Sequence, residues 1–205
     1  MIDVRKIVAL QTEMVERWHQ QSPDNPVSDS DSLFSTICQQ HQFNFLLWHE
    51  EDIARSPCVG DAEVARVKRA IDRYNQQRND WIEKVDDEIS KFLDRASITL
   101  QAHAPLNTET AGSTIDRLSI LSLRIYHLRE QLDRPDVDSS HVNSVQQKLS
   151  ICLQQQEDLT VSLQQLITAI FAGVKRHRTY RQLKMYNDPN LNPYLYNQGP
   201  QRKSA

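Results

Sequence analysis

Arg78 interrupts an apolar seam. Val64, Val67, Ile71, Tyr74, Trp81 and Val85 recur at alternating three- and four-residue steps, the pattern of a helix packed on other helices. Arg78 fills the seam position between Tyr74 and Trp81. A guanidinium keeps its charge in any protein environment, so on a buried seam it must find acceptors. The nearest supply upstream is His49-Glu50-Glu51-Asp52, followed by Arg55.

The spacing of these residues sets out three chemistries. His49 and Asp52 are three apart and Glu51 and Arg55 four apart, so each pair shares a helix face. On the following helix Lys68, Asp72, Asn75, Asn79 and Glu83 form a polar stripe beside the seam. The cluster can be an internal ion-pair network that fixes helix register. It can be a pocket for an anionic small molecule, with Arg55, Lys68 and Arg78 gripping phosphate or carboxylate. Or His49, Asp52, Asp72 and Asn75 can bind a divalent cation, Mg or Mn rather than Zn for such a donor set. That last spacing is loosely similar to helical nucleotide pyrophosphohydrolases, which use more carboxylates, and would make the chain a metal-dependent phosphohydrolase. The expected pocket comprises His49, Glu51, Asp52, Arg55, Lys68, Asp72, Asn75, Arg78 and Asn79. If the chain is an enzyme, His49 or Asp52 is its acid/base and Arg78 its anion holder.

Other residues look poorer. Asp116 in GSTIDRL reads as the capping partner of Ser113, and His127 and His141 read as surface residues. There is no Gly-rich phosphate loop, no GxSxG and no CxxC, so the commonest signatures of nucleotide folds, serine hydrolases and zinc modules are missing.

Helices must position these groups. Gly60, Gly112, Gly173 and Gly199 each fall at a break in periodicity, and the prolines sit between periodic stretches, as expected of residues that helix interiors exclude. The first helix is expected from an Asp3 cap to Gln20, burying Val4, Ile7, Val8, Met14, Val15 and Trp18. A second starts near Asp29 or Ser30 and runs to about Arg55. Asp61 is placed to cap a third, reaching about Ala102. A fourth opens at Ser113-Thr114-Ile115-Asp116 and turns Ile115, Leu118, Leu121, Ile125, Leu128 and Leu132 inward. In the fifth, Val142, Val145, Leu149, Cys152, Gln156, Leu159, Leu163, Leu166 and Ile170 keep a seven-residue rhythm, with Gln156 the lone polar member. Short connections imply antiparallel neighbours. The expected fold is all-α: an elongated antiparallel four- or five-helix bundle over residues 1–173, followed by a C-terminal extended arm, residues 174–205. Seams this regular also suit a homodimer.

Composition bounds the setting. With 39% hydrophobic and 25% charged residues the chain reads as an ordinary globular protein. It has no apolar run of membrane-spanning length, no signal-peptide core at its start, and three scattered cysteines, so a cytoplasmic protein with reduced thiols is expected. From Phe171 onward seven Lys/Arg face one acid, which leaves 17 basic against 26 acidic groups in the remainder. Lys175, Arg176, Arg178, Arg181 and Lys184 alternate with Tyr180, Tyr186, Tyr194 and Tyr196. On an acidic body without a nucleic-acid fold motif, this segment is expected to lay its aromatics on the bundle rather than to bind nucleic acid.

Four ordered blocks, NFLLWHEEDIAR, VKRAIDRYNQQRNDWIEKVD, GSTIDRLSILSLRIYHLREQ and YRQLKMYNDPNLNPYLY, resemble those of the bacterial domain-of-unknown-function family 4254 over about residues 43 to 196. The resemblance implies a bacterial protein of about this length, from a family without established activity whose genes often sit among those for glycosyltransferases and envelope glycans. The expectation is a pocket for a phosphorylated sugar or nucleotide sugar. The alternative is a non-enzymatic partner of a glycosyltransferase whose polar cluster is structural.

Overall fold

The computed structural model describes residues 2–27, 33–185 and 188–196. Asp29, Ser30, Tyr186 and Gly199, which carried expectations above, lie outside these residues. Among the described residues there are five long helices, α1 (Val4–Trp18), α2 (Leu33–Arg55), α3 (Asp61–Arg95), α4 (Ala111–Leu132) and α5 (Ser139–Phe171), and a single-turn α6 (Pro193–Tyr196). The all-α expectation holds.

Helix ends follow local chemistry, with three corrections. The Asp3 side chain accepts from the Arg5 N–H at 3.0 Å and caps α1 as expected. At α3 the cap is Gly60, and Asp61 already lies in the first turn, where its charge suits the helix dipole. α3 ends at Arg95 rather than Ala102. Ser97 takes a left-handed φ of 50°, and the chain turns so that Gln101 N–H donates to Gly173 O at 2.9 Å. At α4 the cap is Thr110, whose hydroxyl accepts from Ser113 N–H at 3.1 Å, so Ser113 is the capped residue rather than the cap and Asp116 is not its partner.

Gly112 therefore sits inside α4 rather than at a break, and its role is close approach. Its N–H donates to Asp86 Oδ1 of α3 at 2.7 Å. A Cβ there would lie 2.7 Å from the Ile82 carbonyl oxygen and 2.9 Å from Asp86 Cγ. Backbone cannot swing aside as a side chain can, so Gly112→Ala is expected to cost about 1–3 kcal/mol by overpacking. A lower urea midpoint would show it; an unchanged midpoint would mean that α3 and α4 part freely.

α2 packs along α3 and α4 along α5, while α1 lies against α4, α2 and α5. All five long helices feed one core, including Ile7, Ile37, Val85, Ile89, Ile115, Leu118, Leu163 and Ile167. A second cluster joins Met14, Val15, Trp18, Cys38, Phe45 and Leu123. The α5 seam is spent within the chain, with Cys152 packed beside Leu121 and Ile125 of α4. Gln156 Nε2 reaches Ser122 Oγ at 3.5 Å. No described helix is long and apolar enough to cross a membrane.

The C-terminal segment runs back along α3. His177 Nε2 meets Asp86 O at 2.9 Å, Arg181 bridges Glu83 and Asp87, and Lys184 Nζ reaches Asn75 O at 3.4 Å. Among the described residues its aromatics do not do the anchoring: Tyr180, Tyr194 and Tyr196 are exposed, and residues 193–196 are helical, not extended. Ion pairs and hydrogen bonds, rather than ring burial, tie the described part of the tail to α3.

Candidate functional site

Arg78 does meet a carboxylate, but on a different helix from the one expected. Its Nε donates to Asp116 Oδ1 at 2.8 Å and its Nη2 to Oδ2 at 2.5 Å, a two-pronged contact between α3 and α4. α2 completes the arrangement with amides: Gln40 Nε2 and Asn44 Nδ2 donate to Asp116 Oδ1 at 2.7 and 2.9 Å. Asn44 also donates to Ser119 Oγ at 2.8 Å. The Asp116 side chain is 6% exposed and that of Arg78 24%. These hydrogen bonds hold the Arg78 proton more tightly than usual.

The network reaches α1 through His41, which is fully buried. Its Nε2 lies 2.9 Å from Gln11 O and its Nδ1 2.6 Å from Ser119 Oγ. A carbonyl only accepts, so Nε2 carries the proton and Nδ1 receives the serine hydroxyl. Gln11 Nε2 in turn donates to Ile115 O at 3.1 Å. Four helices are thus tied at one level by one ion pair and its amide, hydroxyl and imidazole neighbours.

The other expected pocket residues are not gathered around Arg78. Glu51 pairs with Arg55 at 2.6 Å and Lys68 with Asp72 at 2.6 Å, both along their own helix surfaces. Asp52 is exposed. Asn79 is buried but turns its amide to Asn75 O at 2.8 Å. The inward stripe of α2 is Ile37, Gln40, His41, Asn44 and Phe45, and its last turn, with Asp52 and Arg55, is at the surface.

His49 belongs to a different group. With His19, just past α1, and His127 of α4 it forms a triangle of imidazoles, ring centroids 5.1–5.8 Å apart. His127 is therefore not a free surface residue: Trp48 stacks on it at 5.2 Å and 7°. Tyr126 stacks on His19 at 4.0 Å, and Phe45 stands edge-on to both His19 and His49.

A third feature is a cleft of about 520 Å³ between the start of α4 and α5. Asn107, Thr108, Thr114, Ser162 and Gln165 line it with Arg117 and Lys175, over Leu159, Leu163 and Leu166. Arg117 is paired with Glu109 at 3.0 Å. Lys175 gives its ammonium to a neutral amide oxygen, Asn107 Oδ1, at 2.9 Å, and the Glu109 carboxylate lines the same cleft. A larger groove of about 660 Å³ beside the start of α1 is mainly apolar, and the charge of its Arg5 is taken by Glu157 at 2.8 Å.

The family model described as "Protein of unknown function (DUF4254)" matches residues 34–179. The chain belongs to this family. The match spans α2 to α5, with the Arg78 network residues of those helices, His49, His127 and the whole cleft; Gln11 and His19 precede it, and the block from Tyr180 to Tyr196 follows it. No curated protein and no solved structure matches the chain.

Gln40, His41, Asn44 and Ser119 are not among the residues that the spacing picks out, and Asp116 reads there only as a capping partner, although a signal existed. Gln40, His41 and Asn44 share the three- and four-residue rhythm of Leu33, Ile37 and Phe45, so polar residues stand on an apolar stripe there as Arg78 does on α3. Asp116 and Ser119 flank Ile115 and Leu118 in the same way. The imidazole triangle gave no such signal, because each histidine comes from a different helix and no spacing links them.

Proposed function

We propose that this family member binds a small phosphorylated ligand, a sugar phosphate or nucleotide sugar of envelope-glycan metabolism, in the cleft between α4 and α5. The observation that carries the reading is Lys175, an ammonium held over a cleft of about 520 Å³ by a neutral amide. That volume lies in the range of small-molecule sites. The cleft's hydroxyls and amides suit sugar hydroxyls, its leucines suit a sugar or base face, and Lys175 suits phosphate, whereas Arg117 is already paired with Glu109. Arg78 is poorly placed for such a ligand because Asp116 already answers its charge. The glycan assignment is supported by the gene neighbourhoods that the family resemblance implies.

A thermal-shift screen of sugar phosphates and nucleotide sugars, with and without Mg or Mn, tests it. A ligand at about 100 times its Kd stabilises by about 2.7 kcal/mol, a rise of several degrees in Tm for a chain this size. Lys175→Ala is expected to abolish the shift and Arg55→Ala to leave it intact. A shift lost with Arg55→Ala instead would return the site to the end of α2. If no compound shifts Tm, while a glycosyltransferase is retained by the full chain and lost on removing the basic tail, the partner role is the better account. The neutralised Arg78 network favours that second reading.

A further inference from the structure

We infer that His19, His49 and His127 form a binding site for a divalent transition-metal cation, zinc above all, with three imidazole Nε2 atoms as its protein ligands. The inference goes beyond the phosphorylated-ligand reading and does not depend on it.

The first support is where the nitrogen atoms point. The Nε2 atoms of all three histidines are buried and have no hydrogen-bond partner among the described residues. One ring nitrogen from each lies within 4.8 Å of its counterparts in the other two. Buried polar atoms without partners are few in native proteins, and each costs about 1–3 kcal/mol. Three in one place, on one residue type, call for a common partner. Imidazole lone pairs cannot satisfy one another, whereas a single cation satisfies all three.

The second support is what fixes the rings. His19 Nδ1 lies 2.7 Å from Val15 O, and His127 Nδ1 lies 2.7 Å from Glu130 Oε2. A carbonyl and a carboxylate both accept, so in each neutral ring Nδ1 carries the proton and Nε2 presents its lone pair. A histidine whose second nitrogen donates to a carbonyl or carboxylate is the usual supporting arrangement for a metal ligand. The stacked Trp48 and Tyr126 and the edge of Phe45 hold the ring planes.

The geometry fits a first-row ion. Zinc bound to imidazole at about 2.0–2.1 Å sets the nitrogens roughly 3.4 Å apart in a tetrahedral site. Closing from the observed separation moves each nitrogen by less than about 1 Å. Neutral imidazoles suit zinc, cobalt, nickel or copper and give little to magnesium. Three protein ligands leave a coordination position for water or an exogenous anion.

The test uses the full chain and the metal alone. After incubation with Zn(II) and removal of excess, elemental analysis is expected to find about one zinc per chain, and Co(II) to give the intense visible bands of a low-coordinate site. His19→Ala, His49→Ala and His127→Ala should each cut uptake more than tenfold. Glu130→Gln, a positioning change, should weaken zinc binding about 10–100-fold without altering the ligands. Should an alanine variant fail to fold, the unsubstituted protein still decides: Zn(II) must raise its Tm, and Mg(II) at the same concentration must not. Zinc uptake surviving in the triple alanine variant, or a wild-type Tm indifferent to Zn(II), overturns the assignment.

Discussion

Asp116→Leu is expected to destabilise the protein by about 3–5 kcal/mol, and Arg78→Met by a similar amount, because each strands a charge that the fold has taken out of water. The Asp116 carboxylate is 6% exposed and accepts from Arg78, Gln40 and Asn44. Its loss leaves a guanidinium and two amides without an acceptor. Loss of Arg78 leaves a buried anion with two amide donors alone. The double variant Arg78→Met/Asp116→Leu removes both charges, and well-packed apolar replacements of buried ion pairs are often close to neutral. Its loss should therefore fall well below the sum of the singles, with a coupling of roughly 2 kcal/mol or more in a denaturant double-mutant cycle. Small, additive losses would mean that water screens the pair and that it does not set the helix register.

The fold was legible because its punctuation is chemical. Prolines and two of the described glycines, Gly60 and Gly173, mark helix ends by backbone physics, and the α5 rhythm led directly to Val145, Cys152, Leu163, Leu166 and Ile170. Gly112 misled because close approach to Ile82 and a helix break call for the same residue. Arg78 was legible as a charge on an apolar seam, but not its partner. Periodicity says which face of a helix is inward and nothing about which helix lies opposite. The acids nearest in sequence were on α2, whereas the packing of α3 against α4 brings up Asp116, 38 residues away. The three histidines were harder still, since their meeting depends on the relative heights of three helices. Val64 shows the reverse error: it keeps the spacing of the α3 seam yet is exposed, because a rhythm extrapolated toward a helix end does not say where the neighbouring helix stops.

His41 makes the same network a source of acid sensitivity. Burial pushes its pKa down to about 4, only partly opposed by its bond to Gln11 O and by the Asp116 charge. In the unfolded chain it titrates near 6.5. Between these values the unfolded chain takes up a proton that the folded chain refuses, so stability is full above about pH 6.5 and falls as pH drops toward 4. The contribution of this one ring amounts to roughly 3 kcal/mol across that window. Protonation would occur at Nδ1, since Nε2 already donates to Gln11, and would force the Ser119 hydroxyl to turn away from its acceptor. His41→Gln cannot titrate. It is expected to be less stable at pH 7, where it gives up fitted hydrogen bonds, yet to lose far less than the wild type on acidification. Urea unfolding of both proteins at pH 7 and pH 4.5 reads the difference, which cancels the carboxylates and the remaining histidines common to the two. Parallel pH profiles would place the proton uptake elsewhere and leave His41 as a neutral spacer between α1 and α4.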